Sequence, residues 1–213
     1  WDSTKSFISG FLRPIGEFIR DLEWKRSKSW QSNEGASNLV AKVLSQRQDA
    51  PVPIDPSYAT FVETADFEKD GIDYLFVLNG RAHSEGQRHI TVKLAGIGGD
   101  DSEYKVTRIL GEDETGDIWI VRPSAAPDST TTANGFTDFL APGEAALYRL
   151  DPIEDESVSF GGSCLGGNLM IEPAAALTLA DDQLGFASGK GIYTEGVLEA
   201  SNTVFQGCDP EIN

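Results

Sequence analysis

The 213-residue sequence predicts a mainly β protein: an antiparallel β-sandwich with an N-terminal amphipathic helical segment and a short C-terminal β-helix-like region. Three observations carry this. Across residues 58–150, seven short runs alternate between apolar and polar side chains and are separated by turn residues, the spacing of a two-layer antiparallel fold. Ahead of them, apolar residues recur at steps of three and four. After Asp151, short apolar runs are broken by glycine and lack hairpin dipeptides, the texture of stacked parallel rungs.

In order, the period of Phe7, Ile8, Phe11, Leu12, Ile15, Phe18, Ile19 and Leu22 predicts a helix over residues 3–23, with a kink or restart at Pro14. So wide a stripe needs a cover, and a neighbouring domain is the expected one. Trp24 and Trp30 flank the basic run Lys25-Arg26-Ser27-Lys28, which reads as a domain junction. Residues 37–48 read as a second short helix, and Pro51, Pro53 and Pro56 as an extended linker. Strands are predicted near 58–65, 72–79, 88–95, 103–110, 117–122, 136–140 and 144–150, with a turn at Lys69-Asp70-Gly71. On the fifth, Trp119 must face away from Ile118 and Ile120, so both faces of that strand need a contact. The rungs are Leu169-Met170-Ile171, Leu177-Thr178-Leu179, Leu184-Gly185-Phe186, Gly191-Ile192-Tyr193 and Val197-Leu198-Glu199-Ala200. So few rungs cannot be stable alone and must lean on the sandwich or on further residues. The expected division is therefore 1–50 helical, 51–152 sandwich and 153–213 rungs.

Charge narrows the function. With 17 basic and 34 acidic side chains the net charge is −17, concentrated after residue 50. Such a chain repels phosphates, which argues against nucleic-acid binding. No apolar run reaches the length of a membrane-spanning helix. The start at Trp1 and the single Met170 read as a processed product or an excerpt. Cys164 and Cys208, the only cysteines, are expected to pair in an extracellular or cell-surface setting.

Motifs of catalysis are missing from the pattern. His83 and His89 lack the spacing and cysteine partners of a zinc site. Asp66 to Gly71 begins like a calcium loop, yet Val77 stands where a bidentate glutamate is required. Asp113, Glu114 and Asp117 remain candidates for a weak structural calcium, and no other cofactor is expected. Gly96-Ile97-Gly98-Gly99 precedes an acidic strand rather than a helix, so it is no dinucleotide loop. No metal ligands or catalytic residues are assigned.

The run Ile15-Gly16-Glu17-Phe18-Ile19-Arg20-Asp21-Leu22 resembles the last barrel helix of some secreted glycoside hydrolases, which precedes a C-terminal β-domain. Ala65-Asp66-Phe67, the run Asp73 to Asn79, Ile90 to Leu94, Phe136 and the closing Leu140-Ala141-Pro142-Gly143-Glu144 with Leu147 to Leu150 are similar to that β-domain. The resemblance spans roughly residues 10–150 and implies that any glycosidase activity lies upstream of residue 1. The rungs depart from that family.

Together these features imply a non-catalytic accessory β-domain of an extracellular carbohydrate-active or surface protein, orienting or tethering a neighbouring domain of the same parent. Two other classes compete. One is a polysaccharide-binding module using Trp24, Trp30, Trp119, Tyr58 and Tyr104 as stacking rings. The other is a self-assembling surface or filament subunit, in which open rung edges pair with another copy.

Overall fold

The computed structural model describes residues 13–30, 41–48, 62–79, 88–94, 102–111, 115–123, 135–141, 143–153 and 158–208. The protein is mainly β. Its first part contains α1 (Arg13–Arg20), β1 (Glu23–Trp30), β2 (Ala41–Gln48), β3 (Val62–Lys69), β4 (Ile72–Asn79), β5 (Arg88–Leu94), β6 (Glu103–Ile109), β7 (Thr115–Val121), β8 (Gly135–Phe139) and β9 (Ala145–Ile153). Then come β10 (Cys164–Leu165), β11 (Leu169–Ile171), β12 (Ala176–Ala180), β13 (Gln183–Phe186), β14 (Ile192–Thr194), β15 (Val197–Ser201) and β16 (Val204–Gly207).

Two layers form the sandwich. The larger sheet runs β1-β3-β4-β9-β6-β7 with antiparallel neighbours, and β2-β5-β8 forms the smaller one. The β3–β4 hairpin closes through Asp70 and Gly71, at φ 54° and 79°. Two consecutive positive φ values match the right-handed twist of the strands, and an Asp-Gly pair tolerates them. Alternation then divides each strand. Leu75, Val77, Val106, Trp119, Val121, Ala146, Tyr148 and Leu150 face inward, against Val92, Leu94 and Phe136 of the smaller sheet. Trp119, Phe136 and Tyr148 form an aromatic cluster at its centre, with ring centroids 4.9–5.9 Å apart. Such ring pairs contribute roughly 0.5–1.5 kcal/mol each beyond burial.

The outward residues of the larger sheet are covered too. Phe18 and Ile19 of α1 pack with Leu22 over Tyr74, Ile109 and Leu147. Phe18, Ile19 and Leu22 of the predicted stripe are thus covered by the protein's own sheet. Pro14 sits in the first turn of α1, where its missing N–H has no partner to lose. Residues 3–12 and the proline linker lie outside the described residues.

Within the predicted helix 37–48, the described residues 41–48 depart from expectation. Ala41–Gln48 is a strand, paired with β5 across a bulge between Val43 and Ser45. Val43, Leu44 and the flanking residues fit either period, and pairing with an available sheet edge decided between them. The Trp24–Trp30 segment, expected at a domain junction, forms an edge strand of the large sheet. Both strands belong to the sheets of the sandwich. The strand predicted at 144–150 extends to Ile153, with Pro152 opposite Tyr104.

Beyond residue 158 the chain winds into parallel coils with three faces. One face is β10-β13-β16, another β12-β15, and the third β11-β14. Successive coils are offset by 21 residues on the first two faces and by 23 on the third. Leu165, Leu169, Ile171, Leu177, Leu179, Leu184 and Phe186 fill the interior. The coils do not stand apart: β11 pairs in parallel with β7, placing Leu169, Met170 and Ile171 opposite Ile118, Trp119 and Ile120. Ile118 and Ile120 then enter the coil interior while Trp119 enters the sandwich. One eight-stranded sheet therefore passes from sandwich to coils.

Candidate functional site

Two features stand out: a cleft where coils meet sandwich, and the uncovered edge of the last coil. The cleft, about 690 Å³, lies between the outward face of β6 and β9 and the turn that opens the first coil. Because β6 and β9 are antiparallel neighbours, Lys105 stands opposite Asp151 and Thr107 opposite Arg149, all on the outward face. Arg149 directs Nε and Nη2 at Oδ1 of Asp151, each at 2.8 Å, while Lys105 Nζ is 4.0 Å from Oδ2. Ser159, Phe160 and Ser163 form the opposite wall, over a floor that includes Ile118 and Leu165.

That wall is held by a carboxylate that sequence reasoning missed. Buried Asp182 accepts hydrogen bonds from the backbone N–H of Phe160 at 2.7 Å, Gly161 at 3.1 Å and Gln183 at 2.8 Å. A carboxylate met by several backbone donors is a fixed point in a turn. Its neighbour Asp181 and Asn202, 21 residues later, both adopt positive φ, and Asn202 Nδ2 donates to Asp181 Oδ1 at 3.0 Å. The equal spacing of these two turn residues is the sequence signal that could have revealed the period.

The disulfide Cys164–Cys208 spans 5.9 Å between Cα atoms and ties the first coil to the last described residue. Gly185 lies against it: a Cβ there would stand 2.6 Å from Cys208 Sγ.

Glu172 marks the seam. Its backbone N–H donates to Ile120 of β7, and its side chain is hydrogen-bonded by the backbone of Thr137 in the smaller sheet. Burial, followed by the Glu195 carboxylate one coil away, pushes its carboxyl up to about 7 against that hydrogen bond.

At the far end of the coils, β14, β15 and β16 each pair on one side, with β11, β12 and β13; among the described residues nothing pairs with their outer edges. Phe205, which stacks in register with Leu184, is 44% exposed there, and Ile192 and Leu198 are half-buried.

Among the described side chains, Trp24 is not brought together with Trp119 and Tyr104. Trp119 is 1% exposed and Tyr104 8%, so both are core residues whose faces are taken by other side chains. Trp24, at 60%, is exposed on the edge strand with its Nε1 donating to Ser27 Oγ, and Trp30 ends the same strand. Tyr58, Asp113 and Glu114 lie outside the described residues. Asp117 instead accepts a 2.7 Å hydrogen bond from the Asn168 backbone and fastens the coil to β7. Among the described residues, no three His, Cys, Asp or Glu side chains converge to hold a metal, and no helix is long and apolar enough to cross a membrane.

Fold and seam define a β-sandwich continuous with a three-faced parallel coil. No protein family, curated protein or solved structure matches the chain. The likeness to the β-domain of secreted glycoside hydrolases therefore rests on the quoted residues alone.

Proposed function

We propose that the chain is a non-catalytic structural module of an extracellular carbohydrate-active or surface protein, whose last coil docks and orients a neighbouring domain. The observation carrying this is the continuous sheet that runs through β7, β11 and β14 to an edge that nothing pairs with among the described residues. The occupant that fits is a further parallel coil of the same 21-residue period. It would continue the rung-to-rung pairing already present and cover Ile192, Leu198 and Phe205. The sandwich serves as the cap at the other end, because β7 is itself paired on both sides.

The test is a variant with one added coil, residues 188–208 repeated after Cys208 with the copied cysteine as serine. The amides of β14–β16 should gain hydrogen-exchange protection and the melting temperature should rise. An unchanged exchange pattern would show that the edge does not template a coil. Cleavage of a polysaccharide panel at enzyme-like rates would end the non-catalytic reading.

A further inference from the structure

We infer that the seam cleft is a binding site for a neutral saccharide, independent of the coil-docking surface and of the exposed tryptophan. Its volume falls within the roughly 300–1,000 Å³ typical of small-molecule sites. More decisive is its chemistry. Arg149 engages Asp151 through one carboxylate oxygen only, and among the described residues Oδ2 accepts no hydrogen bond, Lys105 Nζ standing at 4.0 Å. One oxygen acceptor and the ammonium donors beside it thus face the cleft from two rigid strands. Across the gap, the exposed hydroxyl of Ser163 can both donate and accept, while Ser159 Oγ already donates to Asp182 Oδ1 at 3.5 Å and accepts from the Gly161 N–H at 3.2 Å. Thr107 and Thr115 add two more hydroxyls to the lining, and Ile109, Leu110, Ile118, Phe160 and Leu165 supply its apolar part.

A ligand matching this lining carries adjacent donors and acceptors on one side and C–H surface on the other. Vicinal hydroxyls on a pyranose ring do so: neighbouring O–H groups bridge a carboxylate oxygen and an ammonium, and the ring's C–H face lies on apolar side chains. Charge selects the neutral class. Two cations against one carboxylate disfavour a cationic ligand, and the open acceptor Oδ2 of Asp151 calls for an O–H donor, which an anionic group lacks. The site is preorganised, since β6 and β9 are paired along their length and Asp182 fixes the Ser159–Phe160–Gly161 turn.

The experiment titrates the full chain with cello-, malto-, xylo- and mannotetraose, and with a galacturonate tetramer and a tetrapeptide mixture as controls, by calorimetry and amide chemical-shift mapping. At least one neutral series should bind, shifting Thr107, Arg149 and Phe160. Asp151→Asn and Ser163→Val should each weaken it about tenfold or more, while Trp24→Ala leaves it unchanged. Both cleft positions are at least partly exposed, and unchanged melting curves will show that the variants fold. Absence of binding by every neutral series overturns the inference, as does binding that survives both cleft substitutions or shifts that map to Trp24. Tighter binding of galacturonate or peptide overturns the assignment to neutral saccharides.

Discussion

At Glu172 a single carboxyl couples the seam to pH. Its native proton affinity is raised from the ordinary 4.5 to about 7, by burial first and Glu195 second. The native state therefore holds this proton more tightly than the unfolded chain. Stability from this group is full below pH 4.5 and is lost as pH rises through 7. The loss is on the order of 2 kcal/mol, discounted for partial exposure. Urea melts of wild type and Glu172→Gln at pH 5 and 8 check this: the variant should be more stable than wild type at pH 8, with a flatter profile. Equal slopes would remove Glu172 as the cause and leave only general repulsion among acidic groups. A glycine marks the same seam. A Cβ on Gly196 would stand 2.3 Å from the Ala175 carbonyl oxygen and 2.5 Å from that of Glu172, whereas one on Gly191 meets nothing within 4 Å. Gly196→Ala should cost about 2 kcal/mol or more, because backbone atoms cannot step aside. Gly191→Ala, read by the same melts, should be near neutral.

Among the elements, β7 and the disulfide matter most. β7 carries two cores on one strand: Trp119 for the sandwich, Ile118 and Ile120 for the coils. Replacing Ile120 with Asp would place a charge in the coil interior and leave the sandwich face of β7 unaltered, so exchange protection should fall in β11–β16 before β4 or β9. The Cys164–Cys208 bond closes a loop of 44 residues. Its removal by paired serine substitution should cost about 4 kcal/mol on a chain-entropy estimate. Amides of β13 and β16 should lose protection first, with Leu75 to Val77 unchanged, as hydrogen exchange would reveal. Equal loss in both parts would show one cooperative unit instead.

Across the whole molecule, the order of dependence runs from sandwich to coil. The sandwich has two paired layers and an aromatic centre, whereas the coils borrow one wall from it. A chain ending at Ile153 should fold, keep near-ultraviolet signals from Trp119, and self-associate through newly exposed Ile118 and Ile120. Residues 158–213 alone should remain unfolded by circular dichroism. A folded isolated coil would contradict this hierarchy.

Much of this was readable from residue order alone. The period-two runs located β4 to β9 within a few residues, since alternation directly encodes two faces, and Asp70-Gly71 encodes a turn that few other pairs can make. The glycine-broken apolar runs likewise marked every strand from β11 to β15. What needed three dimensions was partnership. Ala41–Gln48 became a strand because β5 offered it an edge, and the stripe of α1 found its cover on its own sheet. Trp119 and Tyr104 looked available as rings until two layers closed over them. Nothing in residue order singled out Lys105, Arg149 and Asp151; only the coil laid across β6 and β9 makes them a cleft. Local periodicity records which way a side chain points, but what it meets there depends on residues far away in the chain, and that contact is created by folding.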